Sequence, residues 1–366
     1  MKTPLCSLLG IDYPIVLAGM GGASTPELAA AVSNAGGLGV LGAATCGPVE
    51  LRAWIRRTRE LTDRPFGVDT LLPASVRRGH QLEVSGEAAP DMQEHQTFAA
   101  SFMAEQRLEP VTEDGQPEPS ADGNLVMFSE PFFSAQMAVV VEERVPVYAA
   151  GLGNPGPWIA QLKANGTKVI CVVGAVRHAL QVAGSGIDAI VAQGHDAGGH
   201  NSPIGTMSLI PQVVDAVGRI PVLAAGGIGD GRGVAAALML GAAGVWIGSA
   251  FLAAEEAGIP RYQKQALVDA SEESTVVSRS ITGKPCRMLR SSWTTAWEKG
   301  ELEPLPMPLQ SMISDPVMRA AAHAERADVC PGIAGQGIGM IKRVRPAAEI
   351  FREFVHGAEL ALGRVA

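Results

Sequence analysis

The chain has 366 residues, 47% of them hydrophobic and 18% charged, with a formal net charge of −8. That apolar share supports a sizeable core in one large or two ordinary domains, and the scattered positive residues argue against a nucleic-acid or anionic-membrane surface. Five cysteines (Cys6, Cys46, Cys171, Cys286, Cys330) lie far apart with no C-x-x-C spacing, which predicts reduced thiols in a cytoplasmic protein, and no apolar run reaches membrane-spanning length.

Short apolar runs ending in small residues recur in chain order. They are PIVLAG (14–19), GLGVLGA (37–43), FGVDTLL (66–72), VPVYAAG (145–151), KVICVVG (168–174), DAIVAQG (188–194), PVLAAGG (221–227) and GVWIGSA (244–250). Nearly continuous apolar runs of this length suit strands of an all-parallel sheet, which are covered on both faces. Helical patterns lie between them: PELAAAVSNAG, VELRAWIRRTREL, PFFSAQMAVVVEER, PWIAQLKANG, AVRHALQVAGSG, LIPQVVDAVG and GRGVAAALMLGA. Eight strands, the first seven each followed by a helix, predict an α/β protein with a (β/α)8 TIM barrel over residues 1–256.

The repeat breaks once, at an insertion over 73–130 after the third strand. It holds a helix-forming stretch, DMQEHQTFAASFMAEQRL, and an acidic, Pro/Gly-rich one, EPVTEDGQPEPSADG. The insertion leaves the strand end that carries active sites in barrels, so a lid and a solvated excursion without function are both open readings. Residues 257–366 lose the strand rhythm and read as a mainly helical C-terminal extension packed on the barrel, including VMRAAAHAERA and the glycine-rich GIAGQGIGMI (332–341).

Two glycine clusters bear on anion binding. GLGNPG (151–156) matches G-x-G-x-x-G, but Pro155 and Pro157 disturb the helix start and no acidic ribose partner follows, so it reads as a barrel loop. LAAGGIGDGRG (223–233) and WIGSA (246–250) close the seventh and eighth strands, where barrels commonly bind phosphate through exposed backbone N–H groups. Gly226, Gly227, Gly248 and Ser249 are the predicted donors; tight turns with close packing are the competing reading.

AQGHDAGGHNSPIG (192–205) follows the sixth strand, at the catalytic face. As a metal site, His195, Asp196 and His200 lack a helical face and an evident fourth ligand. As a catalytic loop, Gly198 and Gly199 let a flat ring approach the backbone, with His200 beside it to move a proton near neutral pH. A histidine hydrogen-bonded in a polar turn is the third reading. His195 and Asp196 are expected to orient the loop.

PIVLAGMGG, NAGGLGVLGA, RPFGVDTLLP, AVRHAL, AQGHDAGGH, IPVLAAGGIGDGRGVAAALMLGAAGVWIGSAFL and AGQGIGMI occur in that order, and together the chain resembles the nitronate monooxygenase (2-nitropropane dioxygenase) family over nearly its whole length apart from 73–130. The resemblance implies an FMN-dependent (β/α)8 enzyme that oxidises alkyl nitronates with O2 to a carbonyl compound and nitrite. It implies that FMN touches Gly19, Met20 and Gly21, Asp69 or Thr70, and Gln193, Gly198 and Gly199. Its phosphate would lie at Gly226, Gly227, Gly248 and Ser249, with His200 as the catalytic histidine.

The chain departs from the family by Asp69 in place of an asparagine, and by Cys171, Val172 and Val173 on the fifth strand where some relatives carry lysine. A carboxylate beside a reduced flavin would oppose its negative charge unless protonated or turned away. An alternative of the same superfamily is an NAD(P)H-dependent FMN reductase acting on a quinone or an enoyl thioester. A barrel of the inosine monophosphate dehydrogenase type needs a nucleophilic cysteine in the loop after the sixth strand, where this chain has none.

Overall fold

The computed structural model describes residues 1–72, 92–111, 125 and 129–364. Most of the insertion therefore lies outside the described residues, including the greater part of its acidic stretch. The strands in chain order are β1 (Ile15–Leu17), β2 (Gly39–Gly42), β3 (Phe66–Leu72), β4 (Val147–Gly153), β5 (Lys168–Val173), β6 (Ala189–Gln193), β7 (Gly199–His200), β8 (Val222–Ala225), β9 (Gly244–Ile247), β10 (Thr275–Ser278) and β11 (Cys286–Leu289). Eight of them pair in parallel in the order β1-β9-β8-β6-β5-β4-β3-β2. The circle closes through a bridge between Val16 and Leu38, just before β2. There the Leu17 N–H donates to Leu38 O at 2.9 Å and the Leu38 N–H to Ile15 O at 3.1 Å. These are the eight staves expected from the apolar runs, in a TIM barrel.

The helices are α1 (Pro4–Leu9), α2 (Pro26–Asn34), α3 (Pro48–Leu61), α4 (Gln93–Glu105), α5 (Glu130–Glu142), α6 (Ile159–Ala164), α7 (Val176–Ala183), α8 (Thr206–Val217), α9 (Gly231–Met239), α10 (Ser249–Leu252), α11 (Arg261–Asp269), α12 (Ser292–Lys299), α13 (Leu309–His323) and α14 (Ala347–Gly363). Several start on signals legible in the chain. Thr25 accepts from the Leu28 N–H ahead of Pro26, Ser129 from Phe132, and Asp230 from Arg232 and Gly233. None of the helices is long and apolar enough to cross a membrane, among the described residues.

Alternation along the strands sorts the apolar side chains into two layers. Val16, Leu38, Val40, Val147, Ala149, Ile170, Val191, Leu223 and Trp246 fill the barrel interior, together with Leu5, Cys6 and Leu9 of α1. Their neighbours Ile15, Leu17, Leu41, Val68, Tyr148, Val169, Ile190 and Val245 face the helices. The last helix joins that outer layer through Ile350, Phe351, Phe354 and Ala358. A Cβ added to Gly37 would come within 2.4 Å of the Phe351 ring, so the turn before β2 is shaped to receive it.

A second core lies beside the barrel. Ala99 and Phe102 of α4 pack with Trp293 and Trp297 of α12 and with Ile313 and Val317 of α13. Phe102 meets Trp293 edge-on at 5.0 Å between centroids. The helix α4 of the insertion is thus tied to the C-terminal segment. That segment also contains two strands not expected from sequence: β10 and β11 form an antiparallel hairpin, and β11 pairs with β7 in the loop after β6. Runs of four and two residues are too short to show a period.

Phe351 is fully buried, so Phe351→Ala is expected to cost about 3–5 kcal/mol, read as a lower urea midpoint. An unchanged midpoint would mean that α14 contributes nothing to the barrel wall.

Candidate active site at the barrel mouth

The carboxyl ends of the staves open into a cavity of about 1080 Å3. Gly19, Met20 and Gly21 line it after β1, Asp69 on β3, Gln193, Gly198, Gly199 and His200 after β6, Gly226 and Gly227 after β8, and Gly248 and Ser249 after β9. Thr70, expected here as an alternative to Asp69, faces the helices instead: it is buried, with its hydroxyl 2.9 Å from that of Tyr148. Alternation on β3 decides this, since neighbouring residues cannot both point inward. The backbone of Met20 is already engaged, its N–H with Ser24 Oγ at 3.1 Å and its carbonyl with Ala23 and Ser24, so it can offer an incoming group only its side chain.

The loop after β6 is held from several sides. The Asp196 carboxylate accepts from the Thr206 N–H at 3.1 Å, at the start of α8. His195 Nδ1 lies 3.0 Å from Ser202 O, and Asn201 donates to His195 O at 2.9 Å. Gln193 donates through Nε2 to His200 O at 2.7 Å. From the hairpin, buried Arg287 donates to His195 O at 3.1 Å and to Thr275 Oγ1 at 3.1 Å. Gln336 N–H donates to Asp196 O at 2.9 Å. Among the described residues, no group of three or more His, Cys, Asp or Glu side chains gathers at metal-binding spacing.

The reason for Gly198 differs from the sequence expectation. A Cβ there would sit 2.7 Å from Ala334 C and 2.8 Å from Gly335 N, so this glycine admits the backbone of residues 334–335. Gly199, at φ +80°, has only Ile333 near its missing Cβ and is required by conformation.

His200 sits where the loop meets the hairpin. Its Nε2 is 2.8 Å from Thr282 Oγ1, and it stands opposite Cys286 in the β7–β11 pairing. Burial lowers its pKa below the ordinary 6.5, and the nearby Lys284 ammonium lowers it further. The imidazole is therefore neutral at neutral pH. Lys284 also lines the cavity. Sequence reasoning missed Thr282, Lys284 and Arg287, because nothing local ties a stretch near 282–287 to a loop more than eighty residues earlier; only the β7–β11 pairing does.

Several polar groups at the mouth await a partner. Among the described residues, no hydrogen bond is made by the N–H groups of Gly226, Gly227 or Gly248. Thr206 Oγ1, buried and without a partner, lies 2.8 Å from where a Gly226 Cβ would be. Ser249 Oγ accepts from the Gly335 N–H at 2.8 Å, fixing the glycine-rich 332–341 stretch beside this cradle. On the floor, Asp69 Oδ1 is buried without a partner. Burial raises the Asp69 pKa well above 3.8, opposed only by a hydrogen bond from the Gly151 backbone. Burial and Asp69 together push the Cys171 thiol up to about 12. Gly226 and Gly248 are half-buried and Gly227 is exposed; unbonded N–H donors at one end, with a buried unpaired carboxyl oxygen on the floor, fit a phosphate-bearing ring compound.

Comparison with known proteins bears on the family and the fold. A family model described as nitronate monooxygenase matches residues 2–357. A Mycobacterium tuberculosis protein named "Putative monooxygenase" is 39% identical over 366 residues, covering 97% of this chain and 96% of that one. The structure of nitroalkane oxidase from Streptomyces ansochromogenes superposes with a TM-score of 0.81 at 33% identity, covering 99% of each chain. FabK from Thermotoga maritima does so with a TM-score of 0.75 at 33% identity, over 100% of this chain and 98% of that one.

An NMR titration of the His200 ring is expected to show a midpoint below 6.5, moving upward in Lys284→Met. Because the folded value lies below the unfolded one, His200 favours the unfolded chain as pH falls through that range. A midpoint at or above 6.5 would contradict the buried, cation-facing placement.

Proposed function

Because the chain belongs to the nitronate monooxygenase family and is a flavin-dependent oxidoreductase, we propose that it holds FMN in the barrel mouth and oxidises alkyl nitronates with O2 to a carbonyl compound and nitrite. The observation that carries this reading is His200, a neutral imidazole on the wall of a cavity whose floor and far end hold unpaired polar groups.

When bound, FMN supplies the electron transfer between the organic substrate and O2. Gly226, Gly227, Gly248 and Ser249 would hold its phosphate by N–H and hydroxyl donation. Gly19, Met20, Gly21, Gln193, Gly198 and Gly199 would wall its ring, with Asp69 beneath. His200, held at Nε2 by Thr282, accepts the carbon-bound proton of a neutral nitroalkane or hydrogen-bonds the oxygens of a nitronate. Lys284 adds a positive potential that draws in an anionic nitronate and keeps His200 unprotonated. The C-terminal hairpin and residues 330–335 cover one side of the cavity and limit access of water. The five unpaired thiols favour a reducing compartment, the cytoplasm.

One observation favours a second reading. Ile281, Met288, Met318 and Val329 give the cavity an apolar side, which would suit the larger apolar body of a quinone or an enoyl thioester reduced with NAD(P)H. Anaerobic mixing separates the two: bleaching of the flavin by an alkyl nitronate but not by NADH supports the monooxygenase, and the reverse supports the reductase.

His200→Asn is expected to keep its flavin while turnover of a neutral nitroalkane falls about 10²–10⁴-fold, the usual worth of a general base. Unchanged steady-state rates would remove His200 from the mechanism.

A further inference from the structure

Asp69 lies on the cavity floor, and its setting constrains it tightly. It lies at the carboxyl end of β3, 6% exposed, and opposite Gly42 and Ala149 in the register of the two neighbouring strands. A Cβ on Gly19 would come within 2.2 Å of Asp69 Cβ, and one on Gly151 within 2.5 Å of Oδ1. Gly151 is the extra residue of β4 at a bulge, where the pairing with β3 shifts between Thr70 and Leu71. Two glycines therefore form a slot that keeps the carboxyl in the floor instead of turned away from it.

Among the described residues, a single backbone hydrogen bond supports a negative charge in that slot. Oδ1 has no partner among the described residues, and a backbone hydrogen bond from Gly151 is the one favourable contact. The titratable groups that interact electrostatically with it are Tyr148 of β4, on the helix side of the sheet, and Cys171 of β5; burial keeps both protonated, and neither carries positive charge. Gly19, after β1, and Gly42 of β2 contribute no titratable group. A buried carboxylate requires a cation or several N–H donors, and burial accordingly moves its ionisation far above the ordinary carboxylate range.

Building on the FMN reading above, we propose that Asp69 is carried as the neutral carboxylic acid and donates a hydrogen bond from the barrel floor to an acceptor atom of the flavin ring. An ionised carboxylate can only accept hydrogen bonds, whereas the protonated acid has one donor and retains an acceptor. The neutral form can thus bond a ring oxygen or nitrogen and adds no repulsion when the ring gains negative charge on reduction. The proton stays on Asp69 throughout; no transfer step is assigned to it.

Infrared spectroscopy on the flavin-loaded enzyme tests this directly. The wild type at neutral pH is expected to show the carbonyl stretch of a buried protonated carboxyl, shifted in 2H2O and absent from Asp69→Asn. Asp315, also lining the cavity and raised by burial, is the other candidate for such a band. Should Asp69→Asn fail to fold, a band that persists in Asp315→Asn assigns it to Asp69. In the same holoenzyme the flavin midpoint potential of Asp69→Asn is expected to stay close to the wild type at neutral pH, because one neutral group replaces another. A yellow enzyme without the band, or a clearly higher potential in Asp69→Asn, as loss of a negative charge would produce, overturns the proposal. A colourless protein overturns the FMN reading instead, and the flavin-free chain still reports by its band whether Asp69 is protonated.

Discussion

The backbone pairing of Gly199 and His200 with Arg287 and Cys286 is the constraint on which the rest of the mouth depends. It joins a loop of the barrel to a hairpin that the barrel does not contain. Contacts within the barrel hold the loop backbone, but the pairing brings the hairpin residues to it. With that pairing, Arg287 reaches across to His195 O, Thr282 meets the His200 ring, and Lys284 comes close enough to lower the ring's proton affinity. A buried arginine is costly to bring out of water; Arg287 offsets that by bonding a carbonyl of the loop and a hydroxyl of its own hairpin, and Asp196 adds a favourable charge.

The same mouth retains polar atoms that folding leaves unmatched. The Gly226 and Gly227 turns need left-handed backbone, at φ +105° and +72°, and their N–H groups make no hydrogen bond among the described residues. Thr206 Oγ1 and Asp69 Oδ1 are buried without a partner, and each buried polar group left unpaired costs on the order of 1–3 kcal/mol. A chain that tolerates such costs at one end of a barrel recovers them when a ligand satisfies the groups, and binding to the native state then raises its stability by mass action. The electrostatics are divided in the same way. Burial disfavours a charge on Asp69 at the floor, whereas the rim carries the Lys284 cation beside a neutral histidine, so negative charge is disfavoured below and attracted above.

Much of this architecture could be read from the chain because it depends on local pattern. Eight apolar runs become eight staves, and the glycines that end them stand at one mouth, since parallel strands share a direction. Asp69 and Thr70 could not be separated without the phase of β3, which the barrel interior fixes. Gly198 has a different reason for being glycine from the one its position suggested, because the backbone it admits, at residues 334–335, is distant in sequence. Thr282, Lys284 and Arg287 carry no motif, and their relation to His200 exists only through a two-residue strand. The helix in the insertion was visible as a periodic stretch, but the two tryptophans of α12 that receive it were not. Local propensity reports an element; it says nothing about which distant side chain completes a site.

The central claim is that the barrel mouth holds one flavin by its phosphate end and its ring together. It is tested most directly by titrating the flavin-free protein with FMN and, separately, with riboflavin, following flavin fluorescence. The account predicts one FMN per chain, with riboflavin bound far more weakly because it leaves the cradle at Gly226, Gly227 and Gly248 unfilled. Equal affinity for the two compounds, or no binding of either by the folded protein, would contradict it.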